Sequence, residues 1–303
     1  HIALVNGDVY VNGKIARKPQ PIQQRMWIHV FDSAFVPREE VVRSWDFGRH
    51  ATRWSRNTED GSLTAQALDS DGSVTAAFGR PIRDFYAYNG SSKDSRNGMP
   101  RDVGDCRIQA DVTVLKTAQL GHPGVELRIT EDDHDFTFFV PVGSGRQAVL
   151  RDNGRPVAQA EVAGLRAGRT ERLALENYDD FLVAKMGGNV IMRLPYEGAV
   201  APSRLRKEVR LGCVRADVRF ARVRLQRDVY YLNRAEKGKS DVGTYRLGRD
   251  SYFVLGDNSP NSSDSREWED HPAVPAENLL GEAFAVFWPV HDMRLLSMGS
   301  GGP

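Results

Sequence analysis

Ser262, Asp264 and Arg266 alternate along one short stretch, just after Gly256-Asp257-Asn258. The whole run is Tyr252-Phe253-Val254-Leu255-Gly256-Asp257-Asn258-Ser259-Pro260-Asn261-Ser262-Ser263-Asp264-Ser265-Arg266. An apolar segment with strand character enters a turn and then a dense set of hydroxyls, one carboxylate and one guanidinium. Hydroxyls donate and accept hydrogen bonds without adding charge. So many small polar groups suit a preorganised hydrogen-bonding site at a strand end. The plainer reading is a tight loop, since Asp, Asn and Ser commonly stabilise turns through their own backbone.

The flanks carry the same pattern further. Val274-Pro275 and Glu277-Asn278-Leu279 lead through Gly281 to the apolar run Ala283-Phe284-Ala285-Val286-Phe287-Trp288-Pro289. At the other end, Asn6-Gly7-Asp8-Val9-Tyr10-Val11-Asn12-Gly13-Lys14 reads as a hairpin. Together these blocks resemble the type I signal peptidases, membrane-bound Ser/Lys proteases that remove leader peptides from secreted preproteins. A Ser/Lys protease needs its base lysine neutral, which calls for desolvation and few carboxylates nearby. The resemblance implies that Ser262 hydrogen-bonds that lysine. It implies that Asp264 and Arg266 form an ion pair shaping the loop, and that Gly256, Asp257 and Asn258 set the turn. It also implies preprotein leader peptides as partners, the outer face of the cytoplasmic membrane as location, and an N-terminal membrane anchor. The family's Ser-Met-X-Pro nucleophile motif and Lys-Arg base block precede the hairpin seen here at Asn6, and neither is found in these residues. Ser297-Met298 is the one Ser-Met pair and sits in a Gly-rich tail. The chain taken alone is therefore expected to be inactive.

The elements that would position this block are β. Long helical periodicity is scarce, and short strand-like runs recur between turn signals at roughly 8–12 residue spacing, as in sandwiches and barrels. The middle reads as strands near 107–115, 124–130, 135–141, 146–151, 155–161, 171–176, 181–186, 189–194, 208–215 and 219–228. Asp152-Asn153-Gly154 and Gly187-Gly188-Asn189 suit tight hairpins. In Phe136-Thr137-Phe138-Phe139-Val140, alternation places Phe136, Phe138 and Val140 on one face and Phe139 on the other. Ser55–Thr75 is expected to form two edge strands, and Trp45, Phe47 and Trp54 to cover the sandwich or its seam.

This central region resembles a concanavalin A-like or laminin-G-like jelly roll. The expected fold is all-β: a discontinuous signal-peptidase-like domain, residues 1–44 and 228–303, interrupted by an inserted sandwich, residues 45–227. Chain ends that lie close together make such an insertion tolerable. The small host is expected to carry unusually apolar surface. The alternative function is a non-catalytic envelope module whose sandwich grips a glycan or a protein.

Composition narrows the partners. The 303 residues carry a net charge of +1, with 40% hydrophobic and 27% charged residues. That balance gives no reason to expect nucleic acid. No stretch is apolar enough to span a bilayer. No cofactor or metal is expected: there is no phosphate loop, no Cys-X-X-Cys and no metal-ligand histidine spacing. His134 among acidic neighbours reads as a metal ligand or, more plainly, a solvated hairpin tip. Asn177-Tyr178-Asp179-Asp180 reads as carbohydrate-facing or as an ordinary turn. Cys106 and Cys213 are left as a disulfide or as two buried thiols.

Overall fold

The computed structural model describes residues 1–35, 44–84, 101–144, 146–198, 207–232, 244–259, 262–268, 272–281, 285–286, 288 and 294–295. It is nearly all β. The chain divides into two compact units, residues 27–230 and residues 1–26 with 231–303. Among the described residues, no helix is long and apolar enough to cross a membrane.

The larger unit is a two-sheet sandwich. One sheet runs Arg155–Glu161, Gln147–Asp152, His134–Pro141, Gly124–Glu131, Glu208–Val214, Val74–Phe78 and Trp45–Asp46. The other runs Asn189–Pro195, Phe181–Met186, Thr170–Tyr178, Cys106–Thr117, Ala216–Arg227, Leu63–Gln66 and Trp54–Arg56. The strands alternate inward apolar and outward polar residues, the pattern of sheets with one face in the core. Phe136, Phe138 and Val140 are buried, while Phe139 points away and is half-buried.

Hairpin chemistry sets the register. Asn153 (φ 47°) and Gly154 (φ 78°) are both left-handed, as a two-residue hairpin turn requires. They lock Asp152 opposite Arg155. Trp45, Phe47 and Trp54 are buried in the core. Trp45 meets Phe78 and Phe31 edge-on at centroid distances of 5.7 and 6.1 Å.

Two expectations change in detail. Ile28–Asp32, expected within the 1–44 piece of the discontinuous domain, pairs with Ala216–Arg227 and buries Phe31, so this strand belongs to the sandwich unit. Of the strands near Ser55–Thr75, Leu63–Gln66 and Val74–Phe78 each lie one place in from an edge, and in different sheets. Their inward residues, Leu63 and Ala65 in one and Val74, Ala76 and Phe78 in the other, are buried in the core. The strands outside them, at this end of each sheet, are Trp54–Arg56 and Trp45–Asp46. Cys106 and Cys213 are free thiols, both buried. Burial pushes both thiols up, away from the reactive thiolate.

The smaller unit holds a three-stranded meander, Ile2–Val5, Asp8–Val11 and Lys14–Ile15. Its two turns use Asn6-Gly7 and Asn12-Gly13, all four at positive φ. Backbone bridges from Ile2 to Tyr245 and from Gly7 to Tyr231 bring the two ends of the chain together. Ser251–Tyr252 pairs with Val274–Pro275, and Ala285–Val286 pairs with Arg294–Leu295. Among the described residues of this unit, Tyr252, Leu279, Leu280 and Trp288 are exposed. The remaining residues of the closing run, Ala283, Phe284, Phe287 and Pro289, lie outside the described residues, as does Ser297-Met298.

Candidate functional site

The strand that enters the block is shorter than its apolar composition suggests. Regular pairing ends at Tyr252. Beyond it, Ser265 takes over the role of a partner strand. Its hydroxyl accepts from the Val254 amide at 2.9 Å, and its own amide donates to the Val254 carbonyl at 3.2 Å. Ser265 is fully buried. A side chain thus replaces a ladder contact where the chain is about to turn.

Asp264 and Arg266 form a buried ion pair. The Arg266 Nε donates to Asp264 Oδ1 at 2.8 Å and Nη2 donates to Oδ2 at 2.6 Å, a two-point fork. The same carboxylate accepts from the amides of Gly256 at 2.9 Å and Arg266 at 3.1 Å. Burial pushes the Asp264 carboxyl up. The Arg266 side chain, the Gly256 and Arg266 amides and the Arg266 charge outweigh burial and hold it below the usual carboxylate range. Bidentate arginine–carboxylate pairs are among the strong, directional contacts in proteins.

Arg266 also reaches outward from the pair. Its Nη1 donates to the Leu232 carbonyl at 3.0 Å and to the Ser259 hydroxyl. Its Nη2 donates to the Ser259 carbonyl at 2.9 Å. The Leu232 amide donates to the Ser259 hydroxyl at 2.8 Å. One guanidinium therefore pins the turn, the serine-rich segment and the returning chain at Leu232. Ser259 and Leu232 were not singled out from the sequence. Ser259 lay in plain view within the block, whereas Leu232 is known only through the fold.

Ser262 sits over Gly256. Its hydroxyl donates to the Asn258 carbonyl at 2.8 Å, and its amide donates to the same oxygen at 2.9 Å. Ser262 is half-buried, and Asp257 and Asn258 are exposed. A Cβ on Gly256 would stand 2.2 Å from the Ser262 Oγ and 2.6 Å from its Cβ. Gly256 is needed for space, since it is absent from the glycines at positive φ. The Ser262 hydroxyl has spent its proton on Asn258. Its oxygen can still accept from an incoming amine.

Residues 214–288 match the family model described as signal peptidase, peptidase S26. The C-terminal region is related to type I signal peptidases. It is 47% identical over 57 residues to a probable signal peptidase I-2 of Synechocystis, covering 19% of this chain and 25% of that protein. It is 43% identical over 56 residues to signal peptidase I of Pseudomonas fluorescens, covering 16% of this chain and 20% of that protein. The chain thus spans about a quarter of the length of the curated relatives it matches.

The sandwich has distant structural counterparts. A Bacillus subtilis protein with a galectin-like fold aligns at TM-score 0.45 and 9% identity, over 67% of this chain and 98% of that one. The carbohydrate-binding module CBM66 of Bacillus subtilis aligns at TM-score 0.41 and 12% identity, over 60% and 95%. Values this low carry no inference about ligands.

Two weaker candidates in the sandwich turn out to be structural. His134 stacks on Phe136 at 5.0 Å, lies edge-on to Tyr196, and its Nδ1 is 2.8 Å from Asp152 Oδ2. It is neither a solvated tip residue nor part of a metal cluster among the described residues of its unit. The reason is Tyr196, which covers the hairpin from far along the chain. Asn177, Tyr178 and Asp179 are buried rather than carbohydrate-facing. The Asn177 amide donates to the Gly104 carbonyl at 3.3 Å and to Glu131, and the Asp179 amide donates to Asp105 at 3.2 Å.

Proposed function

We propose that this chain is the extracytoplasmic portion of a signal-peptidase-I-like Ser/Lys endopeptidase that removes leader peptides from secreted preproteins. The supporting observation is the buried Asp264–Arg266 pair, which holds Ser262 against Gly256 inside the segment that matches the family. In this reading the nucleophilic serine and base lysine come from the blocks that the family carries ahead of the Asn6 hairpin. Ser262 is a positioning residue: its oxygen accepts from the lysine amine and aims it without adding charge. Asp264 and Arg266 keep the loop rigid, Gly256 leaves room for the hydroxyl, and Asp257 and Asn258 form the exposed rim of the turn. The host is residues 1–26 with 231–303, and the sandwich is carried as an insert. The protein acts at the outer face of the cytoplasmic membrane. The test is cleavage of a preprotein at its leader site by the intact gene product, with Ser262→Ala as the diagnostic variant.

A second reading concerns the sandwich alone: it is a binding module for an envelope glycan. The observation favouring it is an open groove with an aromatic floor on the outer face of one sheet. The two readings are compatible, since a protease can carry a module that holds it at its place of work.

A further inference from the structure

A groove of about 860 Å³ lies on the outer face of the sheet containing Gly124–Glu131, His134–Pro141 and Gln147–Asp152. Register places Glu126, Phe139 and Val149 side by side in one row. Their neighbours along the strands, Val125, Leu127, Phe138, Val140, Ala148 and Leu150, are in the core, so this row faces away from it. The walls come from residues 117–119 and 121–123 and from Val142, Ser144 and Arg146.

The floor is built around one ring. Phe139 is half-buried and packs on the bare backbone of Gly124, where a Cβ would stand 2.2 Å from the ring. Gly124 therefore lets the ring lean onto the sheet instead of standing upright. The Arg151 guanidinium carbon lies 5.1 Å from the ring centroid. Beside the ring, Glu126 is held by Ser73, whose hydroxyl donates to Oε2 at 2.7 Å. Arg146 and Arg151 line the same groove and have no carboxylate partner among the described residues. Glu126 is the one carboxylate in the lining, so cationic groups are in excess.

An aromatic ring on the floor with the Arg151 guanidinium against it, an anchored carboxylate, and two guanidinium groups without a carboxylate partner among the described residues suit a particular ligand. The apolar face of a sugar ring lies on an aromatic floor. Its hydroxyls donate to a fixed carboxylate. A guanidinium takes a carboxylate in two-point contact. A peptide would need deep apolar pockets for its anchor side chains, and this floor offers a single ring. We propose that this groove binds an acidic oligosaccharide, with one sugar on Phe139, its carboxylate at Arg146 and Arg151, and its hydroxyls at Glu126. The proposal rests on the reading of the sandwich as a glycan-binding module and names its site and ligand class.

The test is calorimetric titration of the whole chain with trigalacturonate and, separately, with neutral cellotriose. Expected are binding of trigalacturonate, at least tenfold weaker binding of cellotriose, and weakening of trigalacturonate by at least tenfold in Phe139→Ala. The pair Arg146→Gln with Arg151→Gln removes both charges, and with them the Arg151 contact on the Phe139 ring, and is expected to abolish the preference for the acidic sugar while the variant still melts cooperatively. Equal binding of both sugars, lost in Phe139→Ala, would overturn the acidic specificity. Sugar binding unaffected by all three substitutions would overturn the groove and leave the module reading standing. Absence of binding to either sugar would overturn both.

Discussion

The Ser262 hydroxyl oxygen lies where a side chain on Gly256 would have to go, 2.2 Å from the position of a Cβ there. Everything else in the loop is arranged around this approach. Asp264 grips the Gly256 amide, Arg266 grips Asp264, and Ser259 and Leu232 grip Arg266. Gly256→Ala is therefore expected to push Ser262 out of place. Overpacking of this kind costs about 1–3 kcal/mol. Denaturant melts should register that loss, and turnover of the intact protein should fall further than the stability change explains.

Asp264→Ala is expected to be the most damaging change in the loop. It would leave the Arg266 charge buried without its carboxylate, a cost of about 3–5 kcal/mol. Chemical denaturation of the variant should show a shift of that size. A change under about 1 kcal/mol would mean that the pair behaves as if solvent-exposed.

The same pair has a sign in pH. The folded Asp264 carboxyl titrates below its unfolded value. Its contribution is complete above the unfolded carboxylate pKa of about 3.9 and is lost as pH falls through the depressed folded value. Asp264→Asn should flatten the acid limb of the stability curve. His134 works in the opposite sense. Burial pushes its pKa down, but the Asp152 hydrogen bond and charge, with the Glu197 carbonyl, outweigh it and raise the imidazole above its usual value. Its contribution is complete below about pH 6.5 and is lost as pH rises through the raised value. His134→Gln should remove that slope, worth up to about 1 kcal/mol, in melts between pH 5 and 9.

Residues 27–230 are expected to fold alone, with a cooperative transition and a β-type circular dichroism spectrum. A shorter piece, 45–227, would lose the strand Ile28–Asp32, the buried Phe31 and the Asp32–Arg224 contact at 2.7 Å. Loss of one buried Phe alone removes about 1.5–3 kcal/mol. The shorter piece should melt markedly earlier. Equal melting temperatures would show that this strand adds nothing to the sandwich.

Much of the sandwich was legible in the sequence. Phe136, Phe138 and Val140 announce a buried face by alternation, and Asn153-Gly154 announces its turn by conformational preference. The second-last strand of the chain's middle was expected as Glu208–Arg215 and forms as Glu208–Val214. What was not legible depends on distant partners. Ile28–Asp32 looks like any short apolar run until Ala216–Arg227 is beside it. His134 looks solvated among acidic residues until Tyr196 closes over it. In the block near Gly256, the ion pair follows from the motif, but the dependence of Arg266 on Ser259 and Leu232 does not. That dependence exists only once the chain returns from the sandwich. The groove over Phe139 was likewise hidden, since it needs Gly124 to lie beneath the ring.

The central claim is that the Ser262 hydroxyl positions a catalytic base rather than merely tying a turn. The direct measurement is turnover on a preprotein, with the melting temperature, for the intact gene product and its Ser262→Ala variant. One hydrogen bond, to Asn258, is lost, so stability should fall by only about 1 kcal/mol. A misplaced base should lower turnover by about 100-fold or more. Wild-type turnover in Ser262→Ala, with only an earlier melt, would contradict the account and leave the block as a structural loop.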